Sequence, residues 1–148
     1  MPGAAGSTLL GVGENEFLLR AIGRVRSPLR TPAQAPLQGS EGAPESTLEL
    51  AAEFAPAATD LHPGQELLVL TWLHLADRET LRVHPRGDPR NPETGVFSTR
   101  SPDRPNPIGM HRVQVIAVDG LNVRVSELEA IDGTPVLDIK PVLHSRER

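Results

Sequence analysis

Three prolines fall within six residues in STRSPDRPNPIG (98–109), at Pro102, Pro105 and Pro107. Proline has no backbone N–H and a fixed φ, so this stretch can be neither helix interior nor central strand. Each residue before a proline is pushed toward extended geometry. The segment therefore reads as a stiff loop, bracketed by Gly95 and Gly109, which give the chain freedom at either end. Ser98, Thr99, Arg100, Ser101, Asp103, Arg104 and Asn106 are spaced along it. A pre-stiffened backbone lowers the entropy cost of holding such groups in one geometry, which suits a binding loop. The plainer reading is a proline-rich connection with its arginines in solvent.

Around this loop the pattern is that of short strands. FLLRAIGRVRSP (17–28) reads as a first strand, stopped at Ser27-Pro28, and TLELA (47–51) as a second. QELLVLTWLHLA (65–76) is an apolar run that fits a strand buried on both faces, although pattern alone does not separate it from a buried helix. TLRVHP (80–85) alternates, RGDPRNPETG (86–95) is a loop, and PVLDIKPVL (135–143) is a last strand. EFAPAATDLHPG (53–64) has room for one short helical turn. In MHRVQVIAVDGLNVRVSEL (110–128), two alternating runs flank Asp119-Gly120, a strong hairpin signal that predicts a type I′ turn. The expected fold is all-β: a small antiparallel barrel, or a sandwich, with long Pro/Gly-rich loops and little helix. Residues 1–16 read as a loose tail and 17–148 as one domain. No βαβ pattern and no G-x-G-x-x-G after a strand is present, which argues against a Rossmann-type nucleotide site.

Charge is unevenly placed. Between Thr31 and Asp77 there is no Lys or Arg, and from Arg78 to Arg112 there are seven arginines against four acids. The net charge is −4, so nothing draws the whole chain toward nucleic acid. Lys140 is the only lysine, and arginine is the better partner for planar, bidentate recognition of carboxylate or phosphate. The chain has no cysteine, which removes disulfides, thiolate zinc sites and thiol catalysis. The histidines lack metal-ligand spacing, and no metal site is expected. No apolar run reaches the roughly 20 residues of a membrane span, and the N-terminus does not read as a signal peptide. The expectation is a cytoplasmic protein.

Two further constellations invite a functional reading. Trp72 and His74 lie two apart on the expected third strand, so they would share a face able to stack on a flat ring; a packed core Trp is the commoner outcome. Asp138 and Lys140 are likewise two apart, as an ion pair or as the lining of a polar cavity. Asp132-Gly133-Thr134-Pro135 has turn chemistry. No nucleophile elbow, P-loop or kinase signature is present. The residues alone thus lead to a small barrel with a rigid Arg-bearing loop that binds a small anionic or zwitterionic ligand.

At GVFSTRSPDRPNPIG (95–109) and LEAIDGTPVLDIKP (128–141) the chain resembles the TsaA-like, or TrmO-type, β-barrel family. The resemblance takes in IGRVRSP (22–28), APLQG (35–39) and WLH (72–74), and so covers nearly the whole chain. It implies S-adenosylmethionine as cofactor and methyl transfer to the N6 position of threonylcarbamoyladenosine in tRNA. It also implies a homodimer with the cofactor near the subunit interface. Full-length members carry a further C-terminal domain that aids tRNA engagement, and this chain reads as the short form.

By matching motif positions, the resemblance places Gln38, Gly39, Ser40, His74, Leu75, Arg100, Met110, Ser126, Glu127, Leu128 and Glu129 around the cofactor. Arg104, Asn106 and Lys140 are candidates for holding the acceptor. An amide-like nitrogen must lose a proton on methylation, and Asp138 or Asp132 could take it. Two other readings remain: a methyltransferase of a small molecule, and a module that binds the cofactor without turning it over.

Overall fold

The computed structural model describes residues 13–35 and 42–143. Six strands close an antiparallel barrel in the order β1-β2-β7-β6-β3-β8. They are β1 (Gly23–Arg26), β2 (Ser46–Leu50), β3 (Glu66–Trp72), β6 (Ile108–Asp119), β7 (Asn122–Val125) and β8 (Pro135–Pro141). Two short strands, β4 (Arg82–Val83) and β5 (Thr94–Gly95), form a separate ladder between β3 and β6. Helix among the described residues is confined to short 3-10 turns, the longest being Ala52–Ala58 around Pro56.

The barrel is held by the period-two pattern. Along β2, β3 and β6 as far as Val115 every second residue is buried, and Leu48, Leu67, Val69, Val113 and Val115 meet Val25, Val123, Val125, Leu128 and Val136 in one core. Valine dominates because a β-branched side chain suits a pleated, half-buried surface. Closure leaves the main sheet no long free edge.

The first strand is shorter than 17–28. Phe17, Leu18 and Leu19 are 84%, 62% and 59% exposed and pair with no strand among the described residues. The ladder begins at Gly23, where the backbone of Glu49 and Leu50 approaches too closely for any Cβ. It ends where Ser27 N–H leaves for Asp132 Oδ1 at 2.9 Å. The third strand also stops early, at Trp72: Leu73 N–H turns to Pro107 O, 2.8 Å, and His74 falls in the turn. Trp72 and His74 therefore do not share a strand face.

The hairpin at 110–128 is present with a different turn. Asp119 pairs with Asn122, so the loop residues are Gly120 and Leu121, and only Gly120 has a positive φ, 58°. That is the type II′ pattern rather than I′. A register shift between Val115 and Ala117 leaves Ile116 over, passing the inward position from Ala117 to Val118.

Candidate functional site

The proline loop is fastened from within. The Arg104 guanidinium is half-buried and donates to three carbonyls, Val96 O at 2.5 Å, Ser101 O at 2.9 Å and Thr99 O at 3.2 Å. Asp77 N–H donates to Asp103 Oδ1 at 2.9 Å and Asp77 O accepts from Arg104 N–H at 3.0 Å. Arg78 lies over the Trp72 ring at 5.1 Å and donates to Pro105 O and to Asn106 Oδ1. Arg104 and Asn106, the expected acceptor ligands, are thus engaged in shaping the loop, and Trp72 carries a guanidinium on its face. Arg100, by contrast, is exposed and has no side-chain partner among the described residues. It is a cation held out on a stiff backbone.

Below the loop, the upper barrel interior holds a polar chain in place of aliphatic packing. Thr71 on β3 faces Gly109 on β6, and His111 follows one inward position on. His111 Nε2 lies 2.7 Å from Thr71 Oγ1, and His111 Nδ1 lies 2.5 Å from Glu129 Oε1. Thr71 and His111 are 0% and 4% exposed, and the Glu129 side chain 18%. A carboxylate oxygen accepts, so Nδ1 is the donor to Glu129, and Nε2 meets the Thr71 hydroxyl, which can serve as donor or acceptor. Gly109 is required here. A Cβ on it would stand 2.5 Å from Thr71 Oγ1 and 2.8 Å from His111 Nε2.

This chain pins the segment after β7. Ser126 exchanges hydrogen bonds with the Gln114 backbone, at 2.9 and 3.0 Å. Leu128 is fully buried and its N–H reaches Pro44 O at 3.2 Å. Glu129 is tied to His111. Between these anchors Glu127 is exposed with a φ of 35°, a left-handed backbone that an acidic side chain adopts only when its neighbours over-determine it. Its carboxylate is thereby turned to solvent.

His74 and Leu75 follow β3, Arg100 lies in the proline loop before β6, Met110 is near the start of β6, and residues 126–129 follow β7. Met110 lies on the outer face opposite Leu70 and is 42% exposed. Gln38, Gly39 and Ser40 lie outside the described residues. Asp132 accepts from Ser27 N–H and pairs with Arg30 at 3.2 Å, which ties the exit of β1 to the entry of β8. Asp138 sits opposite Leu70 on the outer face and pairs with Lys140 at 3.2 Å. The Asp138, Leu70 and Met110 positions therefore form one outer row across β8, β3 and β6. His111 and Thr71 were not singled out from sequence. The signal was parity: both occupy the inward phase of their strands, where a polar side chain must find a partner. Among the described residues no group of three or more His, Asp or Glu could hold a metal ion, and no helix is long and apolar enough to cross a membrane.

Residues 24–147 match the model of the tRNA-methyltransferase O N-terminal domain. The chain belongs to this TrmO family. It is 44% identical over 130 residues to a probable S-adenosyl-L-methionine-binding protein of Methanothermobacter thermautotrophicus, covering 88% of this chain and 93% of the relative. It is 41% identical over 124 residues to an S-adenosyl-L-methionine-binding protein of Archaeoglobus fulgidus, covering 84% and 88%. Among solved structures, TrmO from Pseudomonas aeruginosa superimposes with a TM-score of 0.67 at 31% identity, over 86% of this chain and 56% of that one. This member of the TrmO family thus spans a little over half the length of that solved chain.

Proposed function

We propose that the protein binds S-adenosylmethionine at the rim formed by His74, Leu75, Arg100, Met110 and residues 126–129, and transfers its methyl group to a nitrogen acceptor. The observation that carries this reading is an exposed guanidinium, Arg100, and an exposed carboxylate, Glu127, each without a side-chain partner among the described residues. Arg100 suits the carboxylate of the cofactor's amino-acid end. Glu127 suits hydroxyl donors such as those of a ribose. Met110 and Leu75, 42% and 61% exposed, offer apolar contact to the adenine ring. The donor set therefore fits the cofactor's mixed charge. When bound, the cofactor supplies an electrophilic methyl group.

The chain's own contribution is positioning and proton removal. The Arg104 clasp and the Thr71–His111–Glu129 chain hold the two sides of the rim so that little entropy is lost on binding. Asp138 is the proposed base. It stands in one row with Met110, about 10 Å away by two strand spacings, and its ion pair with Lys140 is exposed and weak. Asp132 is the second candidate, with its carboxylate already engaged by Ser27 and Arg30. The rim residues His74, Leu75, Arg100 and Glu127 are all exposed, so one side of the site stands open. This supports a homodimer in which a second copy covers it, as do the exposed Ile108 and Met110 beside it.

For the acceptor, family membership supports N6 of threonylcarbamoyladenosine in tRNA. One observation favours a small-molecule acceptor. Of the arginines between Arg78 and Arg112, Arg82, Arg90 and Arg112 are paired with Glu93, Asp88 and Glu66, and Arg78 and Arg104 serve the loop. That leaves little free positive charge for RNA. Calorimetric titration with S-adenosylmethionine tests the binding: saturable binding lost in Arg100→Ala is expected, and binding equal in both proteins contradicts the site. Labelled methyl transfer to tRNA lacking or carrying threonylcarbamoyladenosine tests the acceptor.

A further inference from the structure

We propose that residues 16–20 form a strand only between molecules, pairing antiparallel with the same segment of a second copy of this chain. The sequence reads as strand from residue 17, yet the ladder within the chain begins at Gly23. From residue 16 to residue 22 the backbone makes no turn or bend and carries no Gly or Pro, and residues 16–21 are all exposed. No backbone N–H or C=O of residues 17–21 has a hydrogen-bond partner among the described residues. A run of unpaired backbone groups beneath Phe17, Leu18 and Leu19 is a template for a further strand.

Charge selects the occupant. Antiparallel pairing of two copies about Leu18 sets Leu18 against Leu18, Phe17 against Leu19 and Glu16 against Arg20. Two-fold symmetry makes each of the last two pairs twice, so the apolar centre is closed at both ends by opposite charges. Offsetting the pair by one residue in either direction sets Glu16 and Arg20 against uncharged residues, which fixes the register. One acid and one base around three apolar residues leave no net charge to draw nucleic acid.

Both charges are available. Arg20 has no acidic partner among the described residues; its guanidinium stands over the Phe54 ring, 5.7 Å from the centroid, a placement that leaves its N–H edge free to donate. Glu16 accepts from Gly13 N–H through Oε1 at 2.6 Å, and its second oxygen remains. None of these residues belongs to the cofactor rim, so the contact is independent of the cofactor reading.

The test is a charge swap on the full chain, followed by sedimentation at protein concentrations up to about 1 mM. The parent should show a reversible dimer. Glu16→Arg sets two arginines against each other at both ends of the pair, and Arg20→Glu sets two glutamates; each variant alone should associate at least about 10-fold more weakly. An equimolar mixture of the two variants restores opposite charges at both ends, as does the Glu16→Arg/Arg20→Glu double variant. Both should associate within about 3-fold of the parent. Leu18→Asp places two carboxylates on the symmetry axis and should associate weakly in every combination. These side chains face solvent, so circular dichroism and calorimetric titration with S-adenosylmethionine should match the parent throughout. A parent that stays monomeric, single variants that associate as the parent does, or a mixture that fails to recover association overturns the proposal; association unchanged by the swap assigns any dimer contact to another surface.

Discussion

Gly109→Ala perturbs the interior chain without touching any charged or catalytic group. The new Cβ would stand 2.5 Å from Thr71 Oγ1, 2.8 Å from His111 Nε2 and 3.2 Å from Leu73 Cδ2. The backbone of Gly109 is not left-handed, so the cost is steric and polar rather than conformational. Overpacking by one methyl costs about 1–3 kcal/mol. Forcing Thr71 and His111 apart leaves a buried donor and acceptor unpaired, for about 1–3 kcal/mol more. The expected loss is about 2–6 kcal/mol, which at about 2–4 °C per kcal/mol for a domain of this size lowers the melting temperature by roughly 4–24 °C. Gly95→Ala is the control: its nearest neighbour would be 3.9 Å away and its φ is −59°. That variant should stay within about 0.5 kcal/mol of the parent or gain slightly. Urea unfolding of both proteins with a common m-value decides the matter. Because the clash and the Thr71 hydroxyl are coupled, Gly109→Ala should also cost less in a Thr71→Ala background. If Gly109→Ala unfolds at the same urea concentration as Gly95→Ala, the Thr71–His111–Glu129 chain is not the rigid element described.

Arg104→Lys should slacken the proline loop, since an ammonium cannot span three carbonyls; faster amide exchange at 99–104 and cofactor affinity reduced about 3- to 10-fold are expected. Glu127→Gly should relieve the left-handed backbone and stabilise the fold by up to about 1 kcal/mol, while weakening cofactor binding; a denaturation curve and a titration on the same sample show whether the two part company. Glu129→Ala leaves His111 Nδ1 buried without a partner and should cost about 1–3 kcal/mol in unfolding experiments. Asp138→Asn should abolish methyl transfer with cofactor affinity unchanged, and normal turnover would remove Asp138 from the mechanism.

Barrel strands were readable where alternation was strict. Val113 and Val115, or Val123 and Val125, declare one face each, and the proline loop declared itself through Pro102, Pro105 and Pro107. What escaped sequence reading depends on contacts between distant residues. The exposure of Phe17, Leu18 and Leu19 follows from a ladder that begins only at Gly23, which no local pattern announces. Ile116 reads as an ordinary alternating residue, and only the partner strand turns it into a bulge. Arg104 and Arg100 have the same chemistry on the same loop; which one faces the carbonyls is fixed by the three-dimensional turn. The buried His111 was hidden by its neighbours, because a histidine among valines has no local sign of the glutamate 18 residues on.

The most direct test of the cofactor rim is a crystal structure of the chain with S-adenosylhomocysteine. The account predicts the ligand between Arg100 and Glu127, against Met110 and His74, with the Thr71–His111–Glu129 chain intact beneath it. Ligand bound elsewhere on the barrel, with Arg100 still in solvent, would contradict it.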